Sequence, residues 1–424
     1  MLLFRQYGEL FRMAALRGGR SRLFFCLMFA GLLLALMPQA ALAQKTPRAS
    51  KQFEDLARRA AAAREADRYD QAVDLYKKAL DIKPRWEEGW WFLGTLYYDS
   101  DHYESAVPIF RKLVMLNPKL GPAWAMLGLC EFETHDYQNS LIHLERSRAL
   151  GLGGNEELAN VTRYHQALLL NLKGEFEAAT EMLSSLVARG PLSDTLKVAL
   201  GLALLRVPLL PAQLVPSKDA LIHAAGEVAA MVAMGTYDQA VAGFQKLLND
   251  YPDTPFTHYA YGSTLASLSN YEDAEREFRE EIKITPESAL PYMQLAYIKL
   301  RLQHSQEALR FGEKAVSLAP HSFAAHYLLG RARFELGDVA GSIKELETAR
   351  RLGPYSPEVR YNLVRAYSKA NRKAEAQREQ AEFARLNAMF ERQQQSHRQS
   401  YRTAGGRGGL EPHEVLPPSD RSPK

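Results

Sequence analysis

Histidine and cysteine side chains and glycine-rich turns are the first candidates in this 424-residue chain for catalysis, metal binding or nucleotide binding. The eleven histidines are scattered, at positions such as His102, His135, His258 and His326, and none pairs with another at metal-ligand spacing. The sequence contains no HExxH, no Walker-type loop, no Gly-x-Gly-x-x-Gly and no Gly-x-Ser-x-Gly. Gly151-Leu-Gly153-Gly154 lacks the spacing and the preceding strand of a dinucleotide-binding turn. We therefore expect no catalytic residue, no metal and no cofactor, and a protein that is not an enzyme.

The two cysteines offer little further chemistry. Cys26 follows Phe25, which is too large to precede a lipoprotein-type cleavage site. Cys130 stands alone in the rest of the chain, so an intramolecular disulfide is excluded there. Its place two residues after Gly128, in an apolar stretch, favours a packed thiol over a nucleophile.

Residues 1–43 have the pattern of an export signal. Basic residues lead into an apolar run over residues 23–37, and Ala41-Leu42-Ala43 forms a cleavage site before Gln44. Export to the periplasm or secretion is the predicted localisation. The alternative is an uncleaved membrane anchor of residues 23–43, which is just long enough to span a bilayer.

Cleavage of this segment would change the charge of the chain. The whole sequence has 53 basic and 49 acidic residues, and residues 1–43 carry five Arg and one Glu. Residues 44–424 therefore have 48 of each. A neutral chain lacks the positive surface of a nucleic-acid binder, so no nucleic-acid partner is expected. A membrane is expected as a partner only through an uncleaved signal.

A repeated pattern of 34 residues decides the fold. Residues 87–120 contain an aromatic and small-residue motif, then Ala-x3-Phe, then a closing proline. These signature residues, with their equivalents in other copies, are Trp90, Leu93, Gly94, Tyr97, Ala106, Phe110, Pro118, Gly128, Gly262, Ala274, Pro286, Ala296, Gly330 and Pro354. Small residues allow two helices to approach closely, and proline ends the second helix of each copy.

This pattern resembles the tetratricopeptide repeat. The resemblance implies an all-α chain, an α-solenoid of about nine helix-turn-helix units in a right-handed superhelix. We expect units at 53–86, 87–120, 121–154, 160–193, 221–254, 255–288, 289–322, 323–356 and from 357.

The array is predicted to be interrupted at residues 207–220, where Pro208, Pro211 and Pro216 exclude a regular helix. Residues 194–206 look like a first helix without its partner. We therefore predict an N-terminal sub-array at 53–206 and a C-terminal sub-array at 221–395. The break is interpreted as a linker packed on its neighbours, with a hinge or docking loop as the alternative.

A polar capping helix is expected to end the second sub-array. It should run to about Gln395 with a charged outer face that includes Lys373, Glu375, Arg378 and Glu379. Residues 396–424 are rich in Gly, Pro, Ser and Arg and are predicted to be a disordered tail.

The resemblance also implies a binding groove lined by the first helix of each unit. Positions two, five, nine, twelve and thirteen of a unit would point into it. The predicted groove residues are Trp91, Tyr98, Phe132, Tyr164, Phe256, Tyr259, Met293, Tyr297, Tyr327, Arg331, Tyr361 and Arg365. Aromatic and arginine side chains often dominate the binding energy of interfaces. Some of the aromatic rings could instead pack between adjacent first helices.

The resulting hypothesis is a non-catalytic scaffold of the cell envelope, or a secreted one, that binds a peptide segment of a partner protein. One alternative is a structural component of a secretion, pilus or outer-membrane assembly. Another is a non-catalytic subunit of a glycan or cell-wall enzyme. The sequence does not identify the partner.

Overall fold

The computed structural model describes the backbone of residues 47–403 and the side chains of residues 49–392. The predicted signal at 1–43 and the end of the predicted tail, 404–424, lie outside the described residues. Within residues 47–403 every regular element is helical, and no helix there is both long and apolar enough to cross a membrane.

The described helices are α1 Pro47–Glu65, α2 Tyr69–Ile82, α3 Glu87–Asp99, α4 Tyr103–Leu116, α5 Gly121–Glu133, α6 Tyr137–Leu150, α7 Glu156–Leu172, α8 Phe176–Val187, α9 Asp194–Leu204, α10 Pro216–Ala233, α11 Tyr237–Asp250, α12 Thr257–Ser267, α13 Tyr271–Ile284, α14 Ala289–Arg301, α15 Ser305–Leu318, α16 Phe323–Glu335, α17 Val339–Leu352, α18 Pro357–Lys369 and α19 Lys373–Thr403. A short 3-10 turn, Pro211–Gln213, lies between α9 and α10.

These helices pack in successive antiparallel pairs, which is the architecture of an α-solenoid of helical hairpins. Within a hairpin a glycine of the first helix lies against a large side chain of the second. A Cβ added at Gly94 would lie 2.7 Å from the ring of Phe110, and one at Gly330 would lie 2.7 Å from the side chain of Leu346. Gly128 and Gly262 lie in the same way against Leu144 and Phe278. The small residue therefore makes room for the buried side chain that fills each hairpin.

In several units the side chain at the fourth position donates a hydrogen bond to the carbonyl oxygen of the proline that closes the preceding unit. The indole Nε1 of Trp90 donates to the carbonyl oxygen of Pro84 at 2.9 Å, and Trp124 donates to Pro118 at the same distance. In the second half of the chain Arg360 donates to the carbonyl oxygen of Pro354 at 2.8 Å. The donor type changes while the bond is kept, so the closing proline carbonyl fixes the start of the next unit.

The chain divides into two compact units between His165 and Gln166, inside α7. The sequence placed the division at 207–220 instead. The structure differs because that proline-rich segment is packed between helices of one unit. Leu210 is buried, and Val207, Leu209 and Leu214 contact the apolar cluster formed by α9, α10 and α11.

The first helix at 194–206 does have a partner, which corrects the prediction. α10 begins at Pro216, before the predicted end of the break at 220, and packs closely on α9. The side chain of Asn171 fixes the linker between them, since its Nδ2 donates to the carbonyl oxygens of Val207 at 2.8 Å and Leu209 at 3.1 Å. Linker packing, rather than a free docking loop, is what these contacts favour.

The last helix also differs from the prediction. It continues to Thr403, past the expected end at 395. Glu379, expected on its charged outer face, is 5% exposed and forms ion pairs with Arg350 and with Arg360, the latter at 2.8 Å. Two guanidinium groups face this carboxylate, which explains how it can be buried.

Candidate binding surface

In residues 166–403 the first helices α12, α14, α16 and α18 lie side by side in sequence order. Their equivalent positions therefore form rows across neighbouring helices. The row at position five is Tyr259, Met293, Tyr327 and Tyr361, and Tyr297, Arg331 and Arg365 form most of the row at position nine. These rows contain most of the groove residues that were predicted for this part of the chain.

Most of the predicted side chains in these rows are only partly exposed. Tyr259 packs with its ring 5.9 Å from that of Phe278, and burial raises the pKa of its hydroxyl. Tyr297 contacts two neighbouring apolar clusters, and Met293 contacts one of them. Each of these residues therefore supports the fold and also presents some surface.

Tyr327 and Tyr361 mark the two extremes of exposure in the position-five row. Tyr327 is 6% exposed, and its ring stacks on that of Phe323 with 6.1 Å between centroids. Tyr361 is 50% exposed and contacts Phe383 of α19. Tyr327 thus follows the alternative in which a groove aromatic packs between first helices, and Tyr361 is open to solvent.

The arginines of the position-nine row lie against aromatic rings. The guanidinium of Arg331 is 5.7 Å from the ring centroid of Tyr327. That of Arg365 is 4.5 Å from the centroid of Phe334 and pairs with Glu335 at 3.3 Å. The ring contacts hold both guanidinium groups in place. Their remaining N–H groups are left to donate hydrogen bonds to a partner.

Phe256 has an unusual backbone conformation that the sequence did not predict. Its φ is 67°, in the left-handed region, immediately before α12. The fully buried carboxylate of Glu281 accepts the backbone N–H of Phe256 at 2.9 Å and that of Tyr259 at 3.1 Å. The hydroxyl of Thr285 donates to the same carboxylate at 2.9 Å. Glu281 thus caps α12 and fixes the position of Phe256.

The predicted groove residues before residue 166 contact aromatic rings either of a second helix or of His165. Trp91 is 6.0 Å from the ring of Phe110, and Tyr98 is 5.3 Å from that of Tyr103. Phe132 lies 4.7 Å from the ring of His165, which is 5.5 Å from that of Tyr164. The structure therefore brings Phe132 and Tyr164 to the same histidine.

Cys130 is fully buried in α5, and burial raises the pKa of its thiol. A thiol held in its neutral form is a poor nucleophile. Among the described residues no group of three His, Cys, Asp or Glu side chains is arranged to hold a metal ion.

Sequence reasoning missed a set of basic–acidic pairs that join the two helices of a unit. His258 contacts Glu277 at 2.6 Å, and His326 contacts Glu345 at 2.7 Å. Arg360 and Glu379 form the equivalent pair. In each pair the acid follows the base by 19 residues, so this spacing was the available signal.

Arg206 is a second residue that the sequence did not single out. It pairs with Glu177 at 2.5 Å, and its guanidinium lies 4.7 Å from the ring centroid of Phe176 and 5.7 Å from that of Phe256. It therefore connects α8, the end of α9 and the start of α12. No local pattern marks it, because its partners lie in α8 and at the start of α12, far from Arg206 in the sequence.

A 34-residue period, hairpins closed on small residues and a position-four bond to the preceding proline define a helical-repeat protein. The chain contains tetratricopeptide repeats. Family models described as tetratricopeptide repeat match residues 63–130, 229–254 and 293–357. Repeats of this family indicate a scaffold for protein interactions.

Several solved structures are similar to parts of the chain. MamA 41-end from Desulfovibrio magneticus RS-1 is 20% identical with a TM-score of 0.36, over 41% of this chain and 97% of that one. YrrB, described as a TPR protein with an unusual peptide-binding site, is 16% identical with a TM-score of 0.35, over 40% of this chain and 88% of that one. Comparison with curated proteins gives no match.

Proposed function

We propose that this protein is a non-catalytic scaffold that holds a peptide segment of a partner protein on the first helices α12, α14, α16 and α18. The observation that carries the proposal is the pair of side-chain rows on these adjacent helices, which combine partly exposed aromatic rings with stacked arginines. Ring faces give a peptide apolar contact, and the arginines give it hydrogen-bond donors. The backbone beneath the rows is fixed by buried contacts, so binding need not order it.

Tyr297 and Arg331 are the residues through which this proposal is best tested. Both are partly exposed, and each occupies position nine of its unit. A photoreactive phenylalanine analogue at position 297, in cells that make the protein naturally, should crosslink to a defined partner. The same analogue at Arg310, an exposed residue of the second helix α15, is the matched control.

The variant Arg331→Glu should reduce recovery of the crosslinked partner, and Arg310→Glu should not. Both variants should keep the helical circular-dichroism signal of the parent. Equal crosslinking from 297 and 310, or equal recovery with Arg331→Glu and Arg310→Glu, would exclude this face as the binding surface.

We also propose that the scaffold works outside the cytoplasm, in the periplasm or after secretion. The support is the basic region, apolar run and Ala41-Leu42-Ala43 site in the first 43 residues. N-terminal sequencing of the protein from its own cells should give a chain that begins at Gln44. A chain that retains residues 23–43 in the membrane fraction would instead support the uncleaved anchor.

A further inference from the structure

The tyrosines at position five take part in the contact between one first helix and the next. The hydroxyl of Tyr259 accepts a hydrogen bond from the side-chain amide of Gln294 at 3.4 Å, and that of Tyr327 accepts one from Asn362 at the same distance. In both cases the amide lies 35 residues further along, at position six of the following unit. A position-five tyrosine whose hydroxyl accepts a hydrogen bond from a side-chain amide of the next unit is thus a repeated contact between units.

Tyr361 occupies the same position in the last unit, but no following first helix packs over it in the described part of the chain. It is 50% exposed, whereas Tyr327 is 6% exposed, because α18 covers Tyr327 and no further first helix follows α18 in the described part of the chain. The ring of Tyr361 contacts that of Phe383 in its own hairpin, with 5.8 Å between centroids. The last repeat therefore ends in an unfilled copy of the surface that holds α18 on α16.

Charge distinguishes this unfilled surface from the filled one. On α16, Glu335 at position thirteen pairs with Arg365 of the incoming helix, which lies three residues after Asn362. On α18 the equivalent position is Lys369, whose Nζ lies 5.0 Å from the ring centroid of Phe334. No carboxylate within ion-pair distance of Lys369 is found among the described residues. The reversal of charge predicts the opposite charge on whatever docks there.

We propose that the exposed end of α18, formed by Tyr361 and Lys369, docks an amphipathic helix of a partner protein. That helix would carry a carboxamide that donates to Tyr361 and a carboxylate three residues later that pairs with Lys369. The proposal extends the observed contact of α18 on α16 with its charge inverted. It concerns the face of α18 at the end of the array, where Tyr361 is the last member of the position-five row.

The composition of residues 404–424 is not that of the expected helix. Residues 404–424 contain four glycines and four prolines, which disfavour helix formation over so short a segment. The first helix of a second copy is also a poor match, because α1 exposes Arg58 at position six, where the docked helices carry a carboxamide.

The direct test uses α18 itself as the probe. A side-chain-stapled, fluorescently labelled peptide of residues 356–368 is prepared unchanged and with Arg365→Glu, which creates the required pairing of amide and carboxylate. Anisotropy is measured with the chain expressed from Gln44. We expect saturable binding and about a fivefold preference for the Arg365→Glu peptide, as attraction replaces repulsion at an exposed ion pair.

Variants of the chain locate the binding. Lys369→Glu should reverse the preference in favour of the unchanged peptide, and Tyr361→Ala should weaken both peptides. Lys344→Glu, the same charge change at an exposed residue of α17, should alter neither.

Failure of Lys369→Glu to reverse the preference, or absence of saturable binding, would overturn the proposal. Sedimentation without peptide tests the other occupant: a dimer that Tyr361→Ala dissociates would assign this surface to a second copy and would likewise overturn the partner helix.

Discussion

Gly201 of α9 lies directly against the carbonyl oxygen of Ile222 on α10. A Cβ added at Gly201 would lie 2.0 Å from that oxygen, and one at Gly226 would lie 2.0 Å from the carbonyl oxygen of Lys197. Two glycines, one on each helix, thus bring the backbones into contact. This crossing joins the helices on either side of the proline-rich segment into one hairpin.

Gly201→Ala should therefore destabilise the chain. The added methyl group meets main-chain atoms, which cannot rotate away, so a loss of about 2 kcal/mol or more in unfolding free energy is expected. Denaturant unfolding followed by circular dichroism measures it. Gly190→Ala is the control, because a Cβ there meets nothing within 4 Å and no positive φ is required. Equal unfolding midpoints for the two variants would contradict the crossing.

Ala274→Arg should unfold the second half of the repeat array. Ala274 is fully buried in α13 within the cluster that contains Phe278 and Leu295. A long charged side chain there must either displace this cluster or be buried without a partner. Ala220→Arg, at an exposed position of α10, should unfold like the parent. A thermal unfolding curve of Ala274→Arg that matches the parent would show that the repeat register is wrong.

Glu379→Gln tests the buried ion pairs of the last hairpin. Loss of its charge leaves Arg350 and Arg360 facing each other without a carboxylate, so about 3 kcal/mol of stability should be lost. Glu375→Gln removes an exposed carboxylate that pairs with Arg372 and should change little. The urea unfolding midpoints of both variants measure these losses. A midpoint of Glu379→Gln close to that of the parent would argue against burial of the Glu379 carboxylate.

The stability of the first compact unit should depend on the protonation of Glu133. Burial, with the nearby Asp101 carboxylate as the second cause, raises the pKa of Glu133 to about 7 from an ordinary value of 4.5. Between these values the folded state keeps a proton that the unfolded state has lost. The protonated Glu133 therefore contributes its full share of the unfolding free energy below pH 4.5, and this share is lost as pH rises through about 7.

Glu133→Gln should flatten this pH dependence. Urea midpoints measured in steps across this range should decline with pH for the parent and less for the variant. Glu104→Gln, at an exposed carboxyl of α4, should keep the parental slope. A parental slope in Glu133→Gln would show that another group titrates.

The sequence by itself determined the repeat. Trp90, Gly94, Phe110 and Pro118 recur at a fixed spacing because each hairpin closes through local contacts, and these residue types are needed wherever such contacts occur. The family, the all-helical fold and most helix positions follow from that spacing. Rows of aromatic residues on the first helices also follow, because position within the unit sets the face of a helix.

Only the tertiary structure decided which residues at equivalent repeat positions are buried and which are exposed. The spacing treats Tyr327 and Tyr361 alike, yet one is buried and the other exposed, because exposure depends on whether another helix follows. The sequence pattern of the last helix also predicted that Glu379 lies on its outer face, because charged residues of a single helix usually face solvent. The carboxylate is buried because Arg350 and Arg360 come from other helices, and the α9–α10 hairpin forms because Gly201 and Gly226 meet across a linker. These contacts depend on which helices the fold brings together, so the folded chain is needed to show them.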